Sequence, residues 1–266
     1  METIKTIKFD NVTFTYPLSD VSSLNDVSFS VEKSEFIVLC GKSGCGKTTL
    51  LRHMKKNMMP YGNLNGEIIY DGVKISDLSD ARSASEIGYV QQNPDNQLVT
   101  DKVWHELAFG LESLGLDNLT IKRRVAEMAS YFDIQTWFRK DVSRLSGGQK
   151  QLLNLASIMV MQPELLVLDE PTSQLDPIAA SKFLNTVYKI NRDLGTTVIL
   201  SEHRLEDAFT MADRVMVMDS GRIVAASDPM EIGGFLAGTA EQNRHPMFYG
   251  LPAVAKIFHS IPRSMS

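Results

Sequence analysis

Residues 36–48 read Phe36-Ile-Val-Leu-Cys-Gly-Lys-Ser-Gly-Cys-Gly-Lys-Thr48. The five apolar residues predict a buried strand, and the residues after the loop have helical character, so a glycine-rich loop lies between a strand and a helix. The loop fits the pattern G-x-x-x-x-G-K-[ST], in which glycines let backbone N–H groups wrap a phosphate. Lys47 would reach the outer phosphates and the Thr48 hydroxyl would bind Mg²⁺. The predicted phosphate-binding residues are Gly41, Lys42, Ser43, Gly44, Cys45, Gly46, Lys47, Thr48 and Thr49.

Length and composition indicate an ordinary globular chain. Its 266 residues are 43% apolar and 22% charged, which is enough to bury a large core. A net charge of −5 argues against indiscriminate binding of nucleic acid. Cys40 and Cys45 are too few for a disulfide framework and lack the Cys-x-x-Cys spacing, so we expect reduced thiols. No apolar run approaches the roughly 20 residues of a spanning helix and the N-terminus has no secretory core, so we expect a cytosolic chain.

The regions around the loop alternate between strand and helix patterns. Residues 1–40 show period-two alternation, as in Val27-Ser-Phe-Ser-Val31, which predicts an antiparallel start. A helix is expected from about residue 47 through Lys56, closed near Pro60 and Gly62. Helical spacing dominates residues 103–160, which we interpret as a mainly helical insertion. Apolar strand runs then resume at 165–168, 197–200 and 215–218, separated by crossover helices, which predicts a parallel sheet.

Two carboxylates follow the strand run Leu165-Leu-Val-Leu168. Ligand sites of open α/β sheets lie at the carboxyl ends of strands, so Asp169 and Glu170 are expected to lie near the phosphate loop. Asp169 would hold Mg²⁺ through its waters, and Glu170 would orient or deprotonate the attacking water. An acidic turn after an apolar strand is common, and only the upstream glycine loop favours the functional interpretation.

A second glycine motif, Leu145-Ser-Gly-Gly-Gln149, precedes a helical stretch and is named here the signature. Ser146, Gly147, Gly148 and Gln149 would form an exposed helix N-terminus, which is a second phosphate-binding surface. The alternative is a serine that only caps its helix.

With both motifs in order, the sequence resembles the ATP-binding cassette (ABC) ATPases over about residues 5–230. The resemblance implies a P-loop NTPase fold with a RecA-like core, an N-terminal antiparallel β-subdomain and an inserted α-helical subdomain at about 93–160. It assigns 1–230 to the ATPase domain and 231–266 to a C-terminal tail. ATP and Mg²⁺ would be bound, and two cassettes would enclose two ATP molecules, each signature completing the partner's site.

The resemblance also implies roles for four isolated residues. Tyr16 would stack on adenine, although a core tyrosine on a strand face fits as well. Gln92 would contact Mg²⁺ and water, and is preferred to Gln91 because it directly precedes Asn-Pro. Asp176 lies in a short loop through which each subunit would contact the partner's nucleotide site. The alternative is that Asp176 merely caps a helix. His203 would hydrogen-bond the γ-phosphate and complete a catalytic set of Glu170, His203 and Gln92, with Thr48, Gln92 and Asp169 at the metal.

Within the family, Asn93-Pro-Asp-Asn-Gln97 is similar to the ATPase subunits of energy-coupling factor (ECF) uptake transporters. Those subunits dock an integral membrane subunit on the helical subdomain, here near residues 98–114, where the apolar side chains could equally be internal core. The sequence departs from the family at Leu152, where arginine is usual, and at Gln174, where a small residue is usual. Both lie near the expected dimer seam, so the partner could be the same chain or a different cassette.

The sequence therefore predicts an ATPase on the cytoplasmic face of the cell membrane that drives transport by membrane subunits. Two alternatives remain at this point, a P-loop small-molecule kinase and a non-transport ABC protein acting on nucleic acid or the ribosome. The tail, with Leu251-Pro-Ala-Val, resembles the stretch after the first cassette of two-cassette chains, so the chain could be half of a longer polypeptide.

Overall fold

The computed structural model describes residues 5–237, 245 and 250–253. A six-stranded sheet is central and has the order β10-β9-β3-β8-β7-β6. Its first five strands along the chain are parallel and β10 pairs antiparallel with β9. The strands are β3 (Phe36–Gly41), β6 (Ile87–Val90), β7 (Leu165–Asp169), β8 (Thr197–Ser201), β9 (Arg214–Asp219) and β10 (Arg222–Ser227).

Both faces of this sheet are covered, which explains the continuous apolar runs. Every residue of β3, β7 and β8 is buried. Successive side chains of a strand point to opposite faces. Accordingly Val38 belongs to one buried cluster and Ile37 and Leu39 to another. The predicted parallel sheet is confirmed.

A second, antiparallel sheet forms the N-terminal part and has the order β2-β1-β4-β5. It consists of β1 (Lys5–Thr15), β2 (Leu24–Glu32), β4 (Asn63–Tyr70) and β5 (Val73–Lys74). Phe9 and Phe29 are cross-strand partners whose rings stack at 4.7 Å between centroids. Phe9 shares a buried cluster with Ile37 and Leu39, so this sheet covers one face of the parallel sheet.

The helices from residue 103 onward cover the other face, whereas Leu50 and Leu51 of the helix after the phosphate loop lie in the same cluster as Ile37 and Leu39. Leu107, Leu111 and Val125 share a buried cluster with Val38 of β3, so the helical insertion has no core separate from the sheet. The helices are α1 (Lys47–Arg52), α2 (Asp80–Glu86), α3 (Val103–Ser113), α4 (Asn118–Tyr131), α5 (Gly147–Met159), α6 (Pro177–Leu194), α7 (Leu205–Met211) and α8 (Ile232–Ala237). None of the described helices is long and apolar enough to cross a membrane. The tail predicted at 231–266 lies largely outside the described residues.

Helix α1 ends at Arg52, four residues before the predicted end at Lys56. The ring of His53 packs edge-to-face on Phe14 at 4.5 Å, and its Nδ1 lies 2.7 Å from the Thr49 carbonyl oxygen. Lys55 turns inward and donates hydrogen bonds to the carbonyl oxygens of Ser83 and Ile87. These tertiary contacts outweigh the helix propensity of the lysines, which the local pattern could not show.

We predict that Leu200→Ala destabilises the chain by about 3 kcal/mol, because it leaves a cavity in a fully buried strand of the sheet. Leu200 has no exposed surface in β8. The matched control is Leu119→Ala on α4, where the leucine is 79% exposed and a change below about 0.5 kcal/mol is expected. The measurement is urea unfolding, and equal midpoints for the two variants would contradict this account of the core.

Candidate nucleotide-binding site

The phosphate loop joins β3 to α1 and depends on two glycines. A Cβ at Gly41 would lie 2.3 Å from the Met218 carbonyl oxygen, and one at Gly46 would lie 2.5 Å from that of Ser23. Gly46 also has a φ of 109° at the N-terminus of α1, a conformation that favours glycine. The Cys45 carbonyl oxygen accepts a hydrogen bond from Gly221 N at 2.9 Å. Neighbouring backbone therefore fixes the loop on two sides.

Cys45 lies in this loop as a buried, free thiol, and Cys40 at the end of β3 is also free and buried. Burial raises the pKa of both thiols, that of Cys40 to about 12. A thiol whose pKa is raised is a poor nucleophile. Cys45 is therefore a small packed side chain in the described structure.

Lys47 is directed back over the loop. Its side chain is 4% exposed, and its Nζ donates to the carbonyl oxygens of Gly41 at 2.9 Å and Lys42 at 3.2 Å. The same Nζ lies 3.6 Å from Glu170 Oε1. The predicted lysine and one predicted carboxylate are thus brought together, whereas Lys42, Ser43 and Gly44 form the exposed part of the loop.

Asp169 ends β7 and is surrounded by hydroxyl groups. Thr48 Oγ1 and Ser201 Oγ each donate to Asp169 Oδ1 at 3.1 Å, and the Tyr89 hydroxyl donates to Oδ2 at 3.3 Å. Burial raises the pKa of the Asp169 carboxyl, while the hydrogen bonds from Thr48 and Ser201 oppose that rise. Mg²⁺ takes hard oxygen ligands and uses one or two protein groups beside phosphate oxygens and waters. The adjacent oxygens of Thr48 and Asp169 fit that requirement.

Tyr89 and Ser201 were not predicted from the sequence. They lie near the carboxyl ends of β6 and β8, the strands on either side of β7. The sequence signal for these two residues is a hydroxyl-bearing side chain near the end of an apolar run. That signal is not distinctive until the order of the strands is known.

Glu170 leaves the strand in a left-handed conformation with a φ of 47°. Its N–H donates to the carbonyl oxygen of Ser201 at 3.1 Å and to its Oγ at 3.0 Å. Its Oε1 lies 2.8 Å from His203 Nε2. A non-glycine residue rarely adopts positive φ, and the paired N–H supports it here. Glu170, His203 and Lys47 therefore form one cluster.

Two other predicted residues, Tyr16 and Gln92, lie outside the cluster of Lys47, Glu170 and His203. The Tyr16 hydroxyl lies 3.1 Å from Thr49 Oγ1, and its ring packs edge-to-face on Phe14, so it adjoins α1 while remaining partly buried. Gln92 is exposed and makes no hydrogen bond to Thr48 or Asp169 in the described structure. Its side chain lines a cavity of about 270 Å³ that also borders Gly147. The roles of Tyr16 at adenine and Gln92 at a metal stay predictions.

The signature lies at the start of α5. Ser146 Oγ accepts from Gln149 N at 3.3 Å, and Gln149 Oε1 accepts from Ser146 N at 3.0 Å, which is a reciprocal cap. A Cβ at Gly147 would meet nothing within 4 Å, whereas one at Gly148 would lie 3.1 Å from Ala179 Cβ. Ser146 therefore caps the helix while Gly147 beside it has open space around it. Asp176 likewise caps α6, its Oδ1 accepting from Ile178 N and Ala179 N at 3.0 Å.

A protein-family model described as ABC transporter matches residues 24–173. The chain belongs to the ABC transporter family. This membership, with the sheet order, confirms the predicted P-loop NTPase fold and argues against the small-molecule kinase.

Relatives and solved structures agree with the family model. A Bacillus cereus relative described as an ABC transporter ATP-binding protein is 49% identical over 232 residues, which are 87% of this chain and 42% of the relative. A Pyrococcus abyssi relative with the same description is 38% identical over 231 residues, which are 85% of this chain and 81% of the relative. The structure of cbiO1 from Clostridium perfringens, described as part of the ABC transporter complex cbiONQ, is 28% identical with a TM-score of 0.78, covering 86% of this chain and 91% of that one. The chain thus spans about two fifths of the length of its Bacillus relative.

Contacts that the sequence did not predict join the signature helix of this ABC cassette to the rest of the site. Gln151 Nε2 donates to the carbonyl oxygens of Gln91 at 3.2 Å and Pro171 at 2.9 Å. Lys150 pairs with Asp95 at 2.7 Å. The helical insertion is therefore bonded to the loop around Gln92 and to the turn after Glu170.

Part of the predicted docking region, residues 98–114, is internal. Leu107 and Leu111 are fully buried. The exposed apolar side chains there are Val99 at 64% and Phe109 at 49%. The buried Glu106 shapes the approach to α3, because its Oε2 accepts from the backbone N–H groups of residues 99 and 100. The core interpretation holds for the buried leucines, and docking of a membrane subunit near residues 98–114 stays a prediction.

We predict that Lys47→Ala lowers the affinity for ATP by about tenfold or more, because the buried ammonium group that would contact a phosphate is lost. The measurement is a titration with a fluorescent ATP analogue, with thermal melting to confirm folding. The control is Lys122→Ala, which removes an exposed lysine of α4. Unchanged affinity in Lys47→Ala would contradict the phosphate-loop assignment.

Proposed function

We propose that this cassette binds Mg-ATP and hydrolyses it to ADP and phosphate. The observation that supports this most directly is the cluster of Lys47, Glu170 and His203 beside Asp169 at one edge of the sheet. Phosphoryl transfer to water needs charge on the phosphates, oxygen ligands for a metal and a group that positions water. The cluster supplies a residue for each need.

Phosphate binding rests on the loop and on Lys47. Backbone N–H groups of the loop and the N-terminus of α1 present positive partial charge. Lys47 adds a full charge that is little screened, since its side chain is 4% exposed. Its hydrogen bonds to Gly41 and Lys42 hold the ammonium group over the loop before a phosphate arrives. Thr48 and Asp169 would hold Mg²⁺, which neutralises charge that develops on the phosphate oxygens.

Glu170 is the residue assigned to the attacking water. In the proposed step the water oxygen bonds to the γ-phosphorus, Glu170 accepts the water proton, and the bond from the γ-phosphorus to the ADP oxygen breaks. His203 Nε2, held 2.8 Å from Glu170 Oε1, is placed to donate to a γ-phosphate oxygen. The protein thus contributes position and charge, and forms no covalent bond to the substrate.

A second cassette is part of the proposal. Ser146, Gly147 and Gly148 make no hydrogen bond to the chain's own phosphate loop within the described residues. Their open N-terminus fits the phosphate of another cassette, as the family resemblance implies. Leu152 and Gln174 border the cavities beside the signature, so these two departures from the family would bear on whether that cassette is the same chain.

The finer proposal is an ECF-type uptake transporter in which hydrolysis drives membrane subunits from the cytoplasmic face. It is supported by the Asn93–Gln97 motif and by the similarity to cbiO1, itself part of a transporter complex. The surviving alternative is a non-transport ABC ATPase acting on nucleic acid. The net charge of −5 favours the transporter, because phosphate backbones are bound by clustered basic residues.

We predict that Glu170→Gln lowers kcat by about 100-fold or more and leaves ATP affinity within about threefold. The amide keeps the shape of the side chain but cannot take the water proton. Phosphate release and nucleotide titration are the two measurements, and Glu164→Gln, an exposed carboxylate with a 53% exposed side chain, is the control. Near-normal turnover would remove Glu170 from the base role.

A separate prediction concerns docking. Phe109→Asp is expected to reduce recovery of the chain with its membrane partner by about tenfold, while ATP affinity stays unchanged, because a charge then replaces an exposed apolar contact. The measurement is co-purification from the native host, and Leu119→Asp on α4 is the exposed apolar control. Equal recovery of both variants would argue against this surface, and co-purification with nucleic acid would favour the alternative function.

A further inference from the structure

Two segments meet beside Glu170 and are bonded at several points. The switch segment is residues 202–204, which follow β8, and the downstream turn is residues 171–176, which lead into α6. Arg204 Nη2 donates to the carbonyl oxygen of Leu175 at 3.0 Å. The main link, however, runs through Glu202, a residue that neither motif reading nor the proposed reaction uses.

Glu202 is a buried carboxylate, 2% exposed, with each oxygen engaged on a different segment. Its Oε1 accepts a hydrogen bond from the hydroxyl of Thr172, which is itself fully buried. Its Oε2 accepts from the backbone N–H groups of His203 at 2.9 Å and Arg204 at 3.2 Å. One side chain therefore holds the backbone of His203 and the downstream turn at the same time.

A plain structural role is the alternative. Helix α7 begins at Leu205, and its N-cap residue, Arg204, makes no side-chain cap. Glu202 could simply satisfy the free N–H groups before the helix, as any buried acceptor would. That role would account for Oε2 but not for the bond from Oε1 to Thr172, which lies 30 residues away in the chain.

We propose that Glu202 is a positioning residue that acts through His203, tying the imidazole and the downstream turn into one arrangement around Glu170. The inference rests on the proposed ATP hydrolysis and deepens it. A disturbed link would misplace His203 without touching Lys47, Thr48 or Asp169, so turnover would fall while nucleotide binding persisted.

The test compares variants that keep or remove hydrogen bonds at constant size. Glu202→Met has no acceptor for the two N–H groups, whereas in Glu202→Gln the amide oxygen can accept both and the NH₂ can donate to Thr172. Thr172→Val removes the hydroxyl and Thr172→Ser keeps it. We expect kcat to fall about tenfold or more in Glu202→Met and Thr172→Val, with KM within about twofold, and to stay within about threefold in Glu202→Gln and Thr172→Ser.

Dependence on His203 separates positioning from capping. In a His203→Ala background, Glu202→Met should lower kcat by no more than about twofold further, because a residue acting through His203 has nothing left to position. Glu206→Gln, an exposed carboxylate on α7, is the control for charge removal near this site. An undiminished loss in the His203→Ala background, or unchanged kcat in Glu202→Met, would overturn the proposal.

A readout without turnover keeps this inference apart from the proposed function. The imidazole ¹⁵N and ¹H signals of His203, assigned with His203→Ala, should shift in nucleotide-free Glu202→Met and Thr172→Val and remain in place in Thr172→Ser. Unmoved signals in folded variants would overturn the inference. If the variants show these shifts but the wild-type chain never hydrolyses ATP, the inference stands and the proposed function is overturned. If Glu202→Met melts too low to assay, Thr172→Val carries the test.

Discussion

The carboxylate of Asp169 accepts hydrogen bonds from hydroxyl groups of three other elements, and the arrangement of the site depends on these bonds. Thr48 belongs to α1, Tyr89 to β6 and Ser201 to β8. A buried carboxylate is costly unless its oxygens are hydrogen-bonded, so the three donors stabilise the end of β7 in one position. Ser201 Oγ also accepts a hydrogen bond from the N–H of Glu170, which holds Glu170 in its left-handed conformation. Register of the parallel strands thus determines where both carboxylates lie.

How much of this could be predicted differs from residue to residue. The strand-loop-helix order at the phosphate loop and the place of Asp169 at a strand end could be predicted, because each segment is contiguous in sequence and begins with an apolar run. Glu202 and Tyr89 could not be identified, since their partners are 30 and 80 residues away and only the strand order β8-β7-β6 brings them together. The predicted end of α1 was wrong for the same reason, because Lys55 donates to the carbonyl oxygen of Ser83, which lies 28 residues further along the chain.

The helical insertion shows a second limit of pattern reading. Helical spacing identified the apolar positions of residues 98–114 but could not say which faced the sheet. Leu107 and Leu111 complete the core, whereas Phe109, on another face of the same helix, is half exposed. A hydrophobic stripe therefore predicts a buried face, and the exposed apolar residue between the buried ones is the better candidate for a partner contact.

The cluster around Glu170 also suggests how binding and chemistry are linked under the proposed function. Lys47 Nζ and His203 Nε2 both lie near a single oxygen, Glu170 Oε1. A γ-phosphate offers several charged oxygens and is a stronger partner for both donors than one carboxylate oxygen. Phosphate binding would then draw the two donors away from Glu170 and leave its carboxylate to accept a proton from water. The base is thereby engaged with protein donors until the substrate that needs it is in place, and Glu202, which holds the backbone of His203, sets how far one of those donors can move.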